Sequence, residues 1–119
     1  MPLLKRDEIL AAMDLPTEDV EVPEWGGTVR VRSLTGAERD TFEASVVEMR
    51  GKRVETHTDN IRAKLVAAAC IGEDGKRLFT EADVEALGGK SASALDRVFG
   101  VAQRLSGLTP KDVEDLSKN

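Results

Sequence analysis

Three times along this chain the same short pattern recurs: an apolar residue, a threonine, an acid three positions later, then another apolar residue. It appears as Leu34-Thr35 with Glu38, Phe79-Thr80 with Asp83, and Leu108-Thr109 with Asp112. A threonine hydroxyl accepts from an otherwise unpaired amide in the first turn of a helix. The acid reaches back to the threonine's own amide, and the preceding apolar residue can pack as a staple. The pattern therefore sets three helix starts, and Pro110 suits the first helical position of the third. The intervals between them are too unequal for a solenoid repeat.

Apolar spacing gives each helix its body. After Thr35, Phe42, Val46 and Met49 repeat on one face. Residues 60 to 71 carry Ile61, Leu65 and Ala69, with Val66 and Cys70 beside them. A short helix from Glu81 to Leu87 stops at Gly88-Gly89. Residues 91 to 105 place Leu95, Val98, Phe99, Ala102 and Leu105 on one stripe. Near the start, residues 5 to 13 read as a short helix with Ile9, Leu10 and Met13 on one side.

Between the first two helices the period changes to two. Val20 and Val22 alternate with Glu21, and Val29 and Val31 alternate with Arg30 and Arg32. Pro23 and Gly26-Gly27 separate the runs, so we expect a β-hairpin with a loop of about five residues and Glu21 facing Arg30 or Arg32. Two strands alone are marginal, so the hairpin must pack on a helix. Aromatic residues make up only 3% of the chain and tyrosine is absent, so Leu, Val, Ile and Ala must build the core. These signals describe an α+β, mainly α fold: an N-terminal β-hairpin packed on a bundle of about four to five helices. We expect one domain over 1–119, with the hairpin at about 19–33, the helical part at about 35–117 and a mobile loop at about 51–59.

Charge narrows the function classes. The net charge of −5, with Lys and Arg scattered among more numerous acids, argues against a nucleic-acid partner. The lone Cys70 excludes an internal disulfide. No apolar run approaches the roughly twenty residues of a membrane span, and the opening MPLLKRDEIL resembles neither a signal peptide nor an anchor. The sequence reads as cytoplasmic.

Candidate chemistry is sparse. GEDGKRLFTEADVEAL, residues 72 to 87, superficially resembles a calcium loop. Setting Gly75 at its sixth position puts Cys70 and Gly72 where oxygen ligands belong. A polar turn at Glu73-Asp74-Gly75-Lys76, leading into the Thr80 cap, fits better. His57, the only histidine, has no partners that suggest a catalytic set. Cys70 lies in an apolar run and reads as a buried, inert thiol. Gly26-Gly27 and Gly88-Gly89 lack a phosphate-loop context, although Lys90-Ser91 follows the second pair. The acids Glu81, Asp83 and Glu85, and Asp112, Glu114 and Asp115, read as solvated faces favouring helix N-termini. We expect no enzyme, no cofactor and no metal. Trp25, at the hairpin tip, either folds onto the core or anchors a partner, with the core favoured.

The order of motifs resembles the tail assembly chaperones of long-tailed bacteriophages and prophages, the actinobacterial type especially. The resembling stretches are DLPTEDVEVPEWGGTVRVRSLTGAERDTFE, NIRAKLVAAACIGEDGKRLFTEADVEALGGKSASALDRVFGVAQRLSGL and DVEDLSKN. The resemblance implies a non-catalytic role: holding the long tape measure protein soluble while the tail tube assembles around it. It implies the tape measure protein as partner, with the major tail protein beside it; the apolar helix faces also suit self-association with further copies of the chain. It also implies action in the host cytoplasm and absence from the mature virion. A chain ending at Lys118-Asn119 looks like the shorter of the two forms that a ribosomal frameshift produces in many such systems. A holdase needs an accessible apolar surface, and Trp25, Phe79, Val101 and Leu105 are the expected partner-binding residues. The alternative is a structural head-to-tail connector or tail-completion component retained in the virion.

Overall fold

The computed structural model describes residues 1–50, 53–56 and 60–108; of residues 47–50 and 53–56 the backbone alone is described. Helix α1 covers Arg6–Ala11. Strands β1 (Thr17–Val22) and β2 (Gly27–Arg32) follow, joined by a 3-10 turn at Pro23–Trp25. Then come α2 (Gly36–Val46), β3 (Val47–Arg50), β4 (Arg53–Thr56), α3 (Ile61–Ala69) and β5 (Cys70–Ile71). A second 3-10 turn at Glu81–Asp83 leads into α4 (Val84–Gly88), and α5 spans Ala92–Leu105. The fold is mainly α with a small antiparallel sheet, as the periodicities indicate.

The expected hairpin is present and gains a third strand, in the order β1-β2-β5. Its turn closes through Gly26, whose φ of 73° is open to a residue without a Cβ. The register puts Glu21 opposite Thr28, so the expected pairing of Glu21 with Arg30 or Arg32 is incorrect. Asp19 is the residue opposite Arg30, and the two form a bidentate pair at 2.8 and 3.1 Å. Arg32 turns instead toward Glu38 of α2, at 2.8 and 2.9 Å.

The capping chemistry forms as the sequence indicates. Glu38 N donates to Thr35 Oγ1 at 3.0 Å while Thr35 N donates to Glu38 Oε1 at 2.9 Å. Thr80 N donates to Asp83 Oδ2 at 2.8 Å. The helix expected from Thr109 lies outside the described residues. Gly75, at φ +78°, makes the polar turn of the would-be calcium loop.

Three boundaries differ from expectation. Helix α2 ends at Val46, so Met49 belongs to β3 and does not extend its apolar stripe. Cys70 leaves the helix at ψ 132° and pairs with Val31 in the sheet. A continuous apolar run gives no periodicity that would separate helix from buried strand. Third, part of the segment expected as a loop is a strand: β4 pairs antiparallel with β3, Val47 opposite Thr56. The remainder of that expected loop, including His57, lies outside the described residues.

Helix α3 sits at the centre. Ala63 and every residue from Leu65 to Ala69 are buried, and a helix buried nearly all round belongs in the core. Around it pack Val22 and Val31 of the sheet, Phe42 and Val46 of α2, Leu87 of α4, and Leu95, Val98 and Ala102 of α5. Ser106, at the end of α5, accepts from Leu34 N at 3.0 Å, fixing that helix to the corner between β2 and α2. Across the hairpin, Arg97 holds Glu24 at 2.6 Å and Arg104 holds Glu18 at 2.7 Å. Arg62 and Asp96 join α3 to α5 by a further ion pair.

Candidate functional site

Small residues on α3 leave room beside it. Ala67 and Ala68 form the floor of an open groove of about 390 Å³, with Ala37, Thr41 and Phe42 of α2 on one wall and Val84 of α4 on the other. Its lining is mostly apolar, with Glu38, Lys64, Arg77 and Glu81 adding charge. The volume falls within the roughly 300–1,000 Å³ of ordinary binding clefts. Glu38 is part of its lining, and the Thr35 cap and Arg32 hold it in place. Arg77, also on the lining, donates from Nη2 to Ala67 O at 3.2 Å. Its mostly apolar lining suits the uptake of an apolar side-chain row.

A second apolar feature lies at the N-terminus. Of the eight exposed large hydrophobic residues among those described, Met1, Leu3, Leu4, Ile9, Leu10, Met13 and Leu15 all precede β1. Helix α1 buries no residue. The eighth, Leu78, adjoins Phe79.

The four sequence-predicted partner residues occupy separate elements. Trp25 sits in the hairpin turn, Phe79 before the second 3-10 turn, and Val101 and Leu105 on α5. All four are half-buried and pack against the core. None of them lines the groove. The groove went unseen because its floor is alanine, which in a sequence reads as helix filler. The signal for the arm was available: Ile9, Leu10 and Met13 share one side of a helix that buries no residue against the described part of the chain.

Shifts stand out at Asp19, Glu24 and Cys70 among the described residues. Burial pushes the Cys70 thiol up to about 12. Arg30 holds Asp19 below the usual carboxylate range, and Arg97 does the same for Glu24; both are exposed ion pairs. Among the described residues no three or more His, Cys, Asp or Glu side chains cluster to hold a metal, and no helix is long and apolar enough to cross a membrane.

The family model described as "Phage tail assembly chaperone" matches residues 6–119. The chain belongs to the phage tail assembly chaperone family. Among solved structures, the bacteriophage HK97 tail assembly chaperone superposes with a TM-score of 0.56 at 18% identity, covering 83% of this chain and 94% of that one. At that identity the likeness speaks for the fold. No sequence among the curated proteins matches. The family match spans the helices, the hairpin and the groove, so the groove belongs to a chaperone domain rather than to an appended one.

Proposed function

We propose that this chaperone binds the tape measure protein of its phage and holds it soluble while the tail tube assembles, without catalysing a reaction. The observation that carries this reading is the open apolar groove between α2, α3 and α4, in a chain of an assembly-chaperone family. A tape measure protein is long and helical, and an amphipathic helix laid in a groove meets it through side chains at i, i+3, i+4 and i+7. The net charge of −5 keeps the loaded chaperone dispersed. The major tail protein is a second partner in the same assembly, and the chaperone acts in the host cytoplasm and leaves before the virion matures.

Co-expression with the tape measure protein tests the reading: the client becomes soluble and co-purifies with the chaperone. Mass spectrometry of purified virions then finds the chaperone absent; its retention at stoichiometric level would mark a structural tail component instead. Loss of client in a natively folded Val101→Asp/Leu105→Asp variant would move the binding surface from the groove to α5.

A further inference from the structure

We infer that Ala67 and Ala68 are specificity-determining residues of the groove, and that it accepts one pair of large apolar side chains set three or four residues apart on a client helix. The inference rests on the client reading above and names the part of a client that the groove reads. Both alanines line the cleft, with Phe42 of α2 and Val84 of α4 beside them. Alanine is the smallest side chain a helix carries without the roughly 1 kcal/mol cost of glycine. The floor is therefore as deep as a stable helix allows.

Volume sets how many side chains enter. A cavity of about 150 Å³ takes one benzene-sized group. The groove, at about 390 Å³, has room for two such side chains and none for a longer row. On a helix, residues i and i+3 or i+4 stand roughly 5–6 Å apart, so a single turn of the client delivers both. Charge does not make the choice, because the described lining balances Glu38 and Glu81 against Lys64 and Arg77. Shape makes it, and the shape is held. Helix α3 is core, Arg77 donates to the Ala67 carbonyl at 3.2 Å, and Arg32 holds Glu38 on the α2 wall. A cleft fixed before binding discriminates by what fits it, since little reorganisation accompanies binding.

Overlapping helix-length peptides tiling the tape measure protein of the same phage, titrated against the full chain, test the inference. The peptides that bind carry such a pair. Replacing either member by alanine weakens binding about 10- to 150-fold, as expected for one large side chain returned to water. Replacing the apolar residue one turn further along leaves binding nearly unchanged. The matching change on the chaperone is Ala68→Leu, chosen because Ala68 is 9% exposed against 1% for Ala67. It puts a side chain where one member of the pair sits. Ala68→Leu binds the parent peptide more weakly than wild type does, and binds the peptide with the matching side chain cut to alanine more tightly than wild type does. If Ala68→Leu lowers the melting temperature, Thr41→Leu, exposed on the α2 wall, narrows the same cleft outside the core and gives the same inversion. Equal losses for parent and truncated peptides, or dependence on apolar residues over successive turns, overturn the inference and leave the client reading standing. So does failure of every peptide while the whole client co-purifies. Failure of peptides and whole client alike removes the client reading, and this inference with it.

Discussion

Arg32 and Glu38 form one ion pair, Nη2 to both carboxylate oxygens at 2.8 and 2.9 Å, that fastens the end of β2 to the first turn of α2. The same carboxylate accepts from Thr35 N, so one side chain serves both as helix cap and as tie between sheet and helix. Because Glu38 also lines the groove, this tie sets where the α2 wall stands. Both side chains are about one-fifth exposed. Glu38→Ala leaves the half-buried Arg32 without its carboxylate partner and should cost about 1–3 kcal/mol in urea unfolding. Glu38→Gln, which keeps an acceptor for Thr35, should cost less.

Among the described residues Leu65 is the largest fully buried side chain, and it lies on the central helix α3. Leu65→Ala should destabilise by about 2–5 kcal/mol, with the denaturant slope little changed. Gly100 faces open space on α5, so Gly100→Ala should stabilise by up to about 1 kcal/mol; the same unfolding titration reads both changes.

Much of this core was legible from spacing alone. Leu95, Val98 and Ala102 fall where a helical stripe puts them, and the Thr35 and Thr80 caps form with the acids three residues on. The β3–β4 pairing was not legible, because four-residue strands are too short to establish a period of two against a polar background. The strand character of Cys70 was masked by the alanines before it, which make helix and buried strand look alike. The groove depends on what is small rather than on what is large. Its existence follows from Ala67 and Ala68 meeting α2 and α4 in three dimensions, which no local pattern encodes.

Cys70 should resist thiol reagents in the native state. Its thiol is buried and pushed up to about 12, so the reactive thiolate is nearly absent at neutral pH. Labelling with a chromogenic disulfide should be slow in buffer and fast in denaturing urea. The unfolded thiol titrates near 8.5, so the folded state binds its proton more tightly between about 8.5 and 12. This contribution to stability is therefore full below about 8.5 and falls as pH rises through that window.

The two acid-side ion pairs act in the opposite direction. Asp19 and Glu24 are held below their ordinary values by Arg30 and Arg97, so the folded state binds their protons less tightly than the unfolded state. Their contribution is present above about pH 4 and is lost as pH falls through their folded values. Thermal melts should be flat from pH 7 to about 5 and fall below about 4. Glu24→Gln should lower the neutral-pH melting temperature slightly and soften the acid-side fall, while added salt should diminish both effects.

The central claim is that the α2–α3–α4 groove takes a helix of the tape measure protein. Its most direct measurement is co-purification of that client with wild-type chaperone and with Ala37→Arg/Thr41→Arg, two exposed wall positions where bulk and charge fill the groove without entering the core. The account predicts soluble client bound to wild type, and insoluble, unbound client with the double variant at an unchanged melting temperature. Client binding that survives in a natively folded double variant, or fails with the wild type, would contradict it.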